Sequence, residues 1–251
     1  MIDIHCHLTF PGLDEVKEKV ILEAKKSMTA IINCGLSNYF EKTLEISKNH
    51  PEFVYSTLGI HPEDIVKMKG EEIEKDLKFI RESADKIVAI GEIGLDYFWV
   101  KNEKQNKKCK EIFIKCLKIA REENLPVVVH SRKAEEDVFN ILRENRIKNV
   151  VFHHYSGNIS LAKQISDEGY YISIPTIIGT SKNHKKIVKK FPLDKLMTET
   201  DSPFNSPTKG TVNYPYNVKV TIMKISELRN EPFEIVDKTL TENAIKFFNL
   251  S

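Results

Sequence analysis

The feature that most restricts how this chain can fold is an alternation repeated from end to end. Short apolar runs rich in β-branched residues are each followed by a stretch in which apolar residues recur every three or four positions. The runs are IDIHCH, TAIINCG, VYSTLGIH, IVAIGEIGLD, PVVVHSR, NVVFHHYSG, YYISIPT and LMTETDSP, eight in all. Several are continuously apolar, as in Pro126-Val127-Val128-Val129, which is how a parallel strand covered on both faces reads. Between them, the stretch from Glu103 to Asn124 places Cys109, Ile112, Phe113, Cys116, Leu117 and Ala120 on one helical stripe. Asn102 followed by Gln105 predicts a capping box at its start, and Asn38 followed by Glu41 predicts the same for the second helix. Ile73, Leu77, Ile80 and Ala84 mark the third helix. Eight such units in 251 residues predict an α/β fold, a (β/α)8 TIM barrel, as a single domain over 1–251 with no linker or low-complexity segment. An open doubly wound sheet is the alternative, and the lack of Gly-x-Gly-x-x-Gly after the first run counts against it.

In a parallel barrel the C-terminal strand ends converge on one face, so the residues that close each run matter most. The first run ends in His5 and His7, two positions apart and therefore on one side of a strand. The third ends in His61, the fourth in Glu92 and Asp96, the fifth in His130 and Arg132, the sixth in His153 and His154, and the eighth in Glu199 and Asp201. Taken singly, each is more often a hydrogen-bonded polar group of the core or rim. Taken together they are a set, because five of the eight histidines (His5, His7, His61, His130 and His153) gather at strand ends behind apolar residues.

Imidazole nitrogen and carboxylate oxygen are the donors of divalent transition metals. His5, His7, Glu92, His130, His153 and Asp201 supply four nitrogens and two carboxylates, more than one catalytic ion takes. Two ions sharing a carboxylate would use them all, and Glu92, on the strand between the two histidine sets, is the bridging candidate. Such a site activates water for hydrolysis, with Asp201 also a candidate proton acceptor, so Glu92 and Asp201 are the expected catalytic pair. His61 is a candidate for substrate contact or proton transfer, and Arg132 for contact with a phosphate. For Asp3, buried hydrogen bonding and support of the ligands are both open. By strand parity His154 is expected to pack outward, and His50 and His184, in polar contexts, to be solvated. The same constellation would serve a phosphodiester, amide or lactone.

Bulk properties exclude little more. A net charge of +2 neither requires nor excludes a polyanionic substrate. The four cysteines form no Cys-x-x-Cys pair, which removes zinc-ribbon and thioredoxin-like readings and suits free thiols in a reducing cytoplasm. No apolar run is long enough for a membrane span, and Met1 leads directly into a strand without a signal-like segment.

With these residues in place, the chain resembles the TatD-like metal-dependent deoxyribonucleases of the amidohydrolase superfamily. The matching motifs are DIHCH at 3–7, GIHP at 59–62, GEIGLDY at 91–97, VHSR at 129–132, HHYSG at 153–157 and TETDSP at 198–203. The resemblance implies a TIM barrel with two divalent ions, Zn, Mn or Mg, that hydrolyses DNA phosphodiesters as a 3′-5′ exonuclease on single strands or 3′ ends. It implies that His5, His7, Glu92 and Asp201 hold one ion and Glu92, His130 and His153 the other; a cytoplasmic monomer is expected from the chain's own bulk properties. The alternative is a superfamily relative acting on a small amide, lactone or phosphoester. Two stretches depart from the family pattern. His154-Tyr155 follows the sixth-strand ligand in place of Cys-Phe, and Thr211-Val212-Asn213-Tyr214-Pro215 lacks the arginine and glutamate common after the eighth strand. Arg229-Asn230-Glu231-Pro232 reads as a coincidental match inside the final helical region.

Overall fold

The computed structural model describes residues 1–250. All eight predicted runs are strands: β1 (Ile2–Cys6), β2 (Ala30–Gly35), β3 (Val54–Leu58), β4 (Ala89–Gly94), β5 (Val127–His130), β6 (Val150–Phe152), β7 (Tyr171–Ile174) and β8 (Leu196–Thr198). They pair in parallel, each with its sequence neighbour, in the order β1 to β8. The ring is drawn together between β1 and the segment after β8. A parallel bridge joins Cys6 to Ser202, His7 N–H donates to Ser202 O at 2.7 Å and Asp201 N–H to His5 O at 2.9 Å. The fold is therefore the expected (β/α)8 barrel.

Helices follow the strands on the outside: α1 (Lys17–Ala24), α2 (Phe40–Asn49), α3 (Pro62–Ile65), α4 (Gly70–Glu82), α5 (Glu103–Glu122), α6 (Glu135–Glu144), α7 (Ile159–Asp167), α8 (Lys182–Lys190), α9 (Val218–Arg229) and α10 (Phe233–Phe248). The apolar stripe of α5 is buried as its periodicity requires, and Asn102 caps it by accepting from Gln105 N–H at 3.2 Å. The predicted cap at Asn38 does not form. Asn38 takes a left-handed backbone, φ 73°, and Tyr39 starts α2 with no side-chain cap. In α4, Ile73, Leu77 and Ile80 are buried, while Ala84 falls in a following 3-10 turn. Arg229-Asn230-Glu231-Pro232 forms the tight turn between α9 and α10. There Arg229 donates to the carbonyls of Val188 and Phe191 at the end of α8, a structural task.

Val128, Val151 and Met197 lie two residues before His130, His153 and Glu199 and are fully buried, so apolar side chains fill the space beneath the polar ones. They belong to a cluster that includes Ala244, Phe247 and Phe248 of α10. This helix meets the barrel at the N-terminal strand ends, where Met1 N pairs with Asp237 at 3.0 Å and Tyr171 packs on Phe247. The opposite end is left for chemistry.

Candidate metal centre and active site

The two strands carrying the innermost polar groups are also those whose pairing is irregular. Register shifts between Asp3 and Cys6 in β1, and between Ile90 and Ile93 in β4, bracket His5 and Glu92. A local break in the ladder re-aims side chains, and it turns both toward the barrel axis. Gly59 and Gly91 make room. A Cβ on Gly59 would lie 2.4 Å from Glu92 O, and one on Gly91 would lie 2.6 Å from Val128 Cβ.

Glu92 is the centre of the cluster. Its Oε2 lies 3.3 Å from His5 Nε2 and 4.0 Å from His7 Nε2. Its Oε1 lies 2.6 Å from His130 Nδ1, 3.2 Å from His153 Nε2 and 3.5 Å from His61 Nε2. One oxygen thus faces the histidines at the end of β1 and the other those at the ends of β3, β5 and β6. Asp201 closes the first side, with Oδ1 3.4 Å from His7 Nε2 and 3.9 Å from His5 Nε2. The six residues expected as donors meet in one place, together with His61.

Further groups hold the imidazoles in orientation. His7 Nδ1 lies 3.3 Å from Cys34 O, a carbonyl that can only accept, so Nε2 is free to face Asp201. His130 Nε2 is 2.8 Å from Asp96 Oδ2, and His153 Nδ1 is 3.2 Å from Glu199 Oε2, itself bonded to Ser173 Oγ at 2.5 Å. Asp96 and Glu199 stand in the sequence motifs but carry no expected role there. Their signal is a second carboxylate two to four residues from a ligand candidate, the usual partner of a metal-binding imidazole. Asp3 accepts from the backbone N–H of His5 and Thr200 and from Thr200 Oγ1, so it clips β1 to the segment after β8 and touches no imidazole.

Charge follows contact. Burial alone would raise the Glu92 carboxyl, but His153, His61 and His130 around it more than reverse this and hold it well below the ordinary range. Asp201 is likewise held low, against burial, chiefly by His7. Burial opposes protonation of His130, yet Asp96 and Glu92 bring it up to about 9. His5 departs from this pattern: burial and the neighbouring His153 lower it, and its Nε2 is buried without a hydrogen bond. An orphaned imidazole nitrogen beside two ionised carboxylates is what a cation requires. Three sets of donor atoms, His5-His7-Cys34-Glu92, His5-His153-Asp201 and His61-Glu92-His130, each lie within 4.8 Å of one another. The residues fit divalent metal, with nitrogen and oxygen donors predominating.

Three expectations are corrected. His154 does not pack outward: β6 stops at Phe152, and a left-handed φ of 47° at His154 breaks the alternation on which parity depends. It lines a cavity of about 400 Å3 together with His130, Arg132, His153, Asp201 and His184. His184 is not solvated either. It is buried in the first turn of α8, 3.0 Å from Tyr155 O, and burial lowers its ring to about 4. His50 is mostly covered and pairs with Glu18 at 3.0 Å. Arg132 borders the same cavity, its guanidinium carbon 4.0 Å from the centre of the Phe98 ring.

A barrel whose mouth gathers metal donors around one buried carboxylate has the architecture of a metal-dependent hydrolase, and comparison with known proteins gives the same class. The family described as TatD related DNase matches residues 2–249, so the chain belongs to that family. It is 40% identical over 248 residues to an uncharacterized metal-dependent hydrolase of Methanocaldococcus jannaschii, covering 98% of this chain and 96% of that one. It is 33% identical over 258 residues to the Homo sapiens protein named deoxyribonuclease TATDN3, covering 99% and 94%. Among solved structures, the TatD homologue YjjV of Escherichia coli K12 superposes with a TM-score of 0.89 at 27% identity, over 100% of this chain and 98% of that chain.

Proposed function

We propose that the protein hydrolyses phosphodiester bonds of DNA at a pair of divalent ions, Zn, Mn or Mg, that share Glu92. The observation that carries this reading is the division of the Glu92 carboxylate, Oε2 toward His5 and His7 and Oε1 toward His130 and His153. His5, His7, Glu92 and Asp201 hold one ion and Glu92, His130 and His153 the other. The pair supplies Lewis acidity, lowering the pKa of water toward about 7 and offsetting charge on the phosphoryl oxygens.

The chain's own residues do the rest. Asp201 accepts the proton of the attacking water, since its carboxylate is kept ionised and faces the cluster. His61 Nδ1 accepts from Glu63 N–H, which turns Nε2 toward the cluster, where it can hydrogen-bond an oxygen of the scissile phosphate. Arg132, exposed at the cavity wall and in no ion pair among the described residues, neutralises a phosphate of the strand. The names of relatives support DNA as the polymer, and the substrate is single-stranded or presents a 3′ end from which cleavage proceeds 3′ to 5′. The barrel acts as one domain and as a monomer. Four buried free cysteines suit a cytoplasmic setting, and among the described residues no helix is long and apolar enough to cross a membrane.

Assays with Mg2+, Mn2+ or Zn2+ on single-stranded DNA labelled at either end test the proposal. The wild type should shorten strands from the 3′ end, and Glu92→Ala and Asp201→Asn should lose at least about a hundredfold in kcat. Wild-type inactivity on DNA beside hydrolysis of a small ester or lactone would overturn it.

A further inference from the structure

Aromatic rings exposed to solvent are confined to one end of this molecule. Among the described residues they are Phe98, Trp99 and Phe204, at 38%, 59% and 47% exposure, and all lie on loops that follow β4 or β8 at the mouth. A single exposed apolar side chain is ordinary, but large exposed rings gathered on one face point to a surface that meets something. The Phe98–Trp99 pair is also built into place. Asp96 Oδ1 accepts from the backbone N–H of both, at 2.8 Å each, while Asp96 Oδ2 holds His130 at 2.8 Å. One carboxylate therefore fixes the position of the rings relative to the candidate metal centre.

The surroundings of the pair are cationic. The Arg132 guanidinium lies 4.0 Å from the Phe98 ring centre and 5.7 Å from that of Trp99, and Lys101 Nζ is 5.3 Å from Phe98. Lys101 Nζ donates to Tyr97 O at 3.1 Å, neither cation is in an ion pair among the described residues, and Arg132 borders the cavity beside His130, His153 and Asp201. Phe98 stands edge to face with Trp99, 4.8 Å between ring centres and 84° between planes, and holds the cations over its own face, so the exposed Trp99 ring beside positive charge suits a ligand with both a π-face and an anion, which is the repeating unit of a nucleic acid strand.

We infer that the Trp99 ring, braced edge to face by Phe98, forms a stacking platform for one unpaired nucleobase of the substrate strand, with Arg132 holding the adjacent phosphate. This rests on the proposed action on DNA and adds how the strand is gripped. A base within a duplex is already stacked on its neighbours, so the platform selects strands whose bases are free. Stacking on an aromatic side chain is sequence-tolerant, so it confers preference for single strands without choosing a base.

Trp99 is the only tryptophan of the chain, so its fluorescence reports the platform directly. The intact protein is titrated with a hydrolysis-resistant phosphorothioate oligothymidylate and with a strand of the same length and charge made of abasic residues. Saturable quenching by the first, with on the order of tenfold weaker binding and no quenching by the second, is the expected result. In kinetics, the ratio of kcat/KM for base-bearing over abasic substrate should fall about tenfold toward unity in Trp99→Ala, and partly in Phe98→Leu. Fluorescence that stays constant, or responds alike to both strands, overturns the platform. Because quenching needs no hydrolysis, inactivity of a protein that is quenched counts against the nuclease reading alone.

Discussion

At the scale of single residues, the site is organised by groups that hold imidazoles as much as by the imidazoles. Asp96 orients His130 and anchors the Phe98–Trp99 backbone, so its loss should be felt twice. Asp96→Ala is expected to weaken metal binding on the order of ten- to a hundredfold, measured by metal titration of the purified variant, and unchanged affinity would show that His130 needs no partner. His184 carries a pH effect. Its folded ring is held near 4 by burial, below the ordinary 6.5, so between these values the unfolded chain takes up a proton that the folded chain refuses. Stability present above about pH 6.5 is therefore lost as the pH falls toward 4. Between pH 7 and pH 5 the wild-type Tm should drop further than that of His184→Gln, as followed by circular dichroism. The ligand candidates were legible because residue type and strand-end position together restrict them. His184 and His154 were not, since a lysine-rich helix hides which ring turns inward and strand parity ends where β6 ends.

At the scale of elements, strands whose ladders break are the ones that aim the chemistry. Gly59 illustrates how tightly β3 and β4 are fitted, since an added Cβ would meet Glu92 O at 2.4 Å and Gly91 C at 2.6 Å. Gly59→Ala must move the Glu92 backbone and is expected to cost about 1–3 kcal/mol of stability with a larger proportional loss of activity. Gly70, with nothing within 4 Å of an added Cβ, is the control, and Gly70→Ala should leave both nearly unchanged. Denaturant titration beside an activity assay checks the pair. Strand and helix identity could be read from periodicity, whereas the register shifts at His5 and Glu92 could not, because a bulge is a property of two paired strands. Capping was legible in part. Asn102 accepts from Gln105 N–H, the first half of the predicted capping box, but a left-handed turn at Asn38 takes that residue out of the cap position.

Across the whole molecule, the two ends of the barrel have separate duties. Phe247 and Phe248 of α10 are packed at the N-terminal end, in the cluster that supports the floor of the site, while every candidate ligand lies at the other end or on its approach. Phe248→Ala should cost about 3–5 kcal/mol in denaturant unfolding yet leave KM unchanged in the protein that remains folded. A shift in KM would show that the ends are coupled. The architecture was legible from sequence because eight repeats of one alternation leave few topologies, and the position of the mouth followed from chain direction alone. Where the ring draws together was not legible. It lies at Asp201 and Ser202, beyond the end of β8, so the same residues that join the first strand to the last also complete the site.

The central claim is that one carboxylate, Glu92, is shared by two cations. Anomalous scattering from crystals soaked in Mn2+ tests it most directly. Two peaks about 3.5–4 Å apart, one at each Glu92 oxygen, with His5, His7 and Asp201 around the first and His130 and His153 around the second, are the predicted result. A single peak away from Glu92, or imidazoles and carboxylates bonded only to each other at saturating Mn2+, would contradict it.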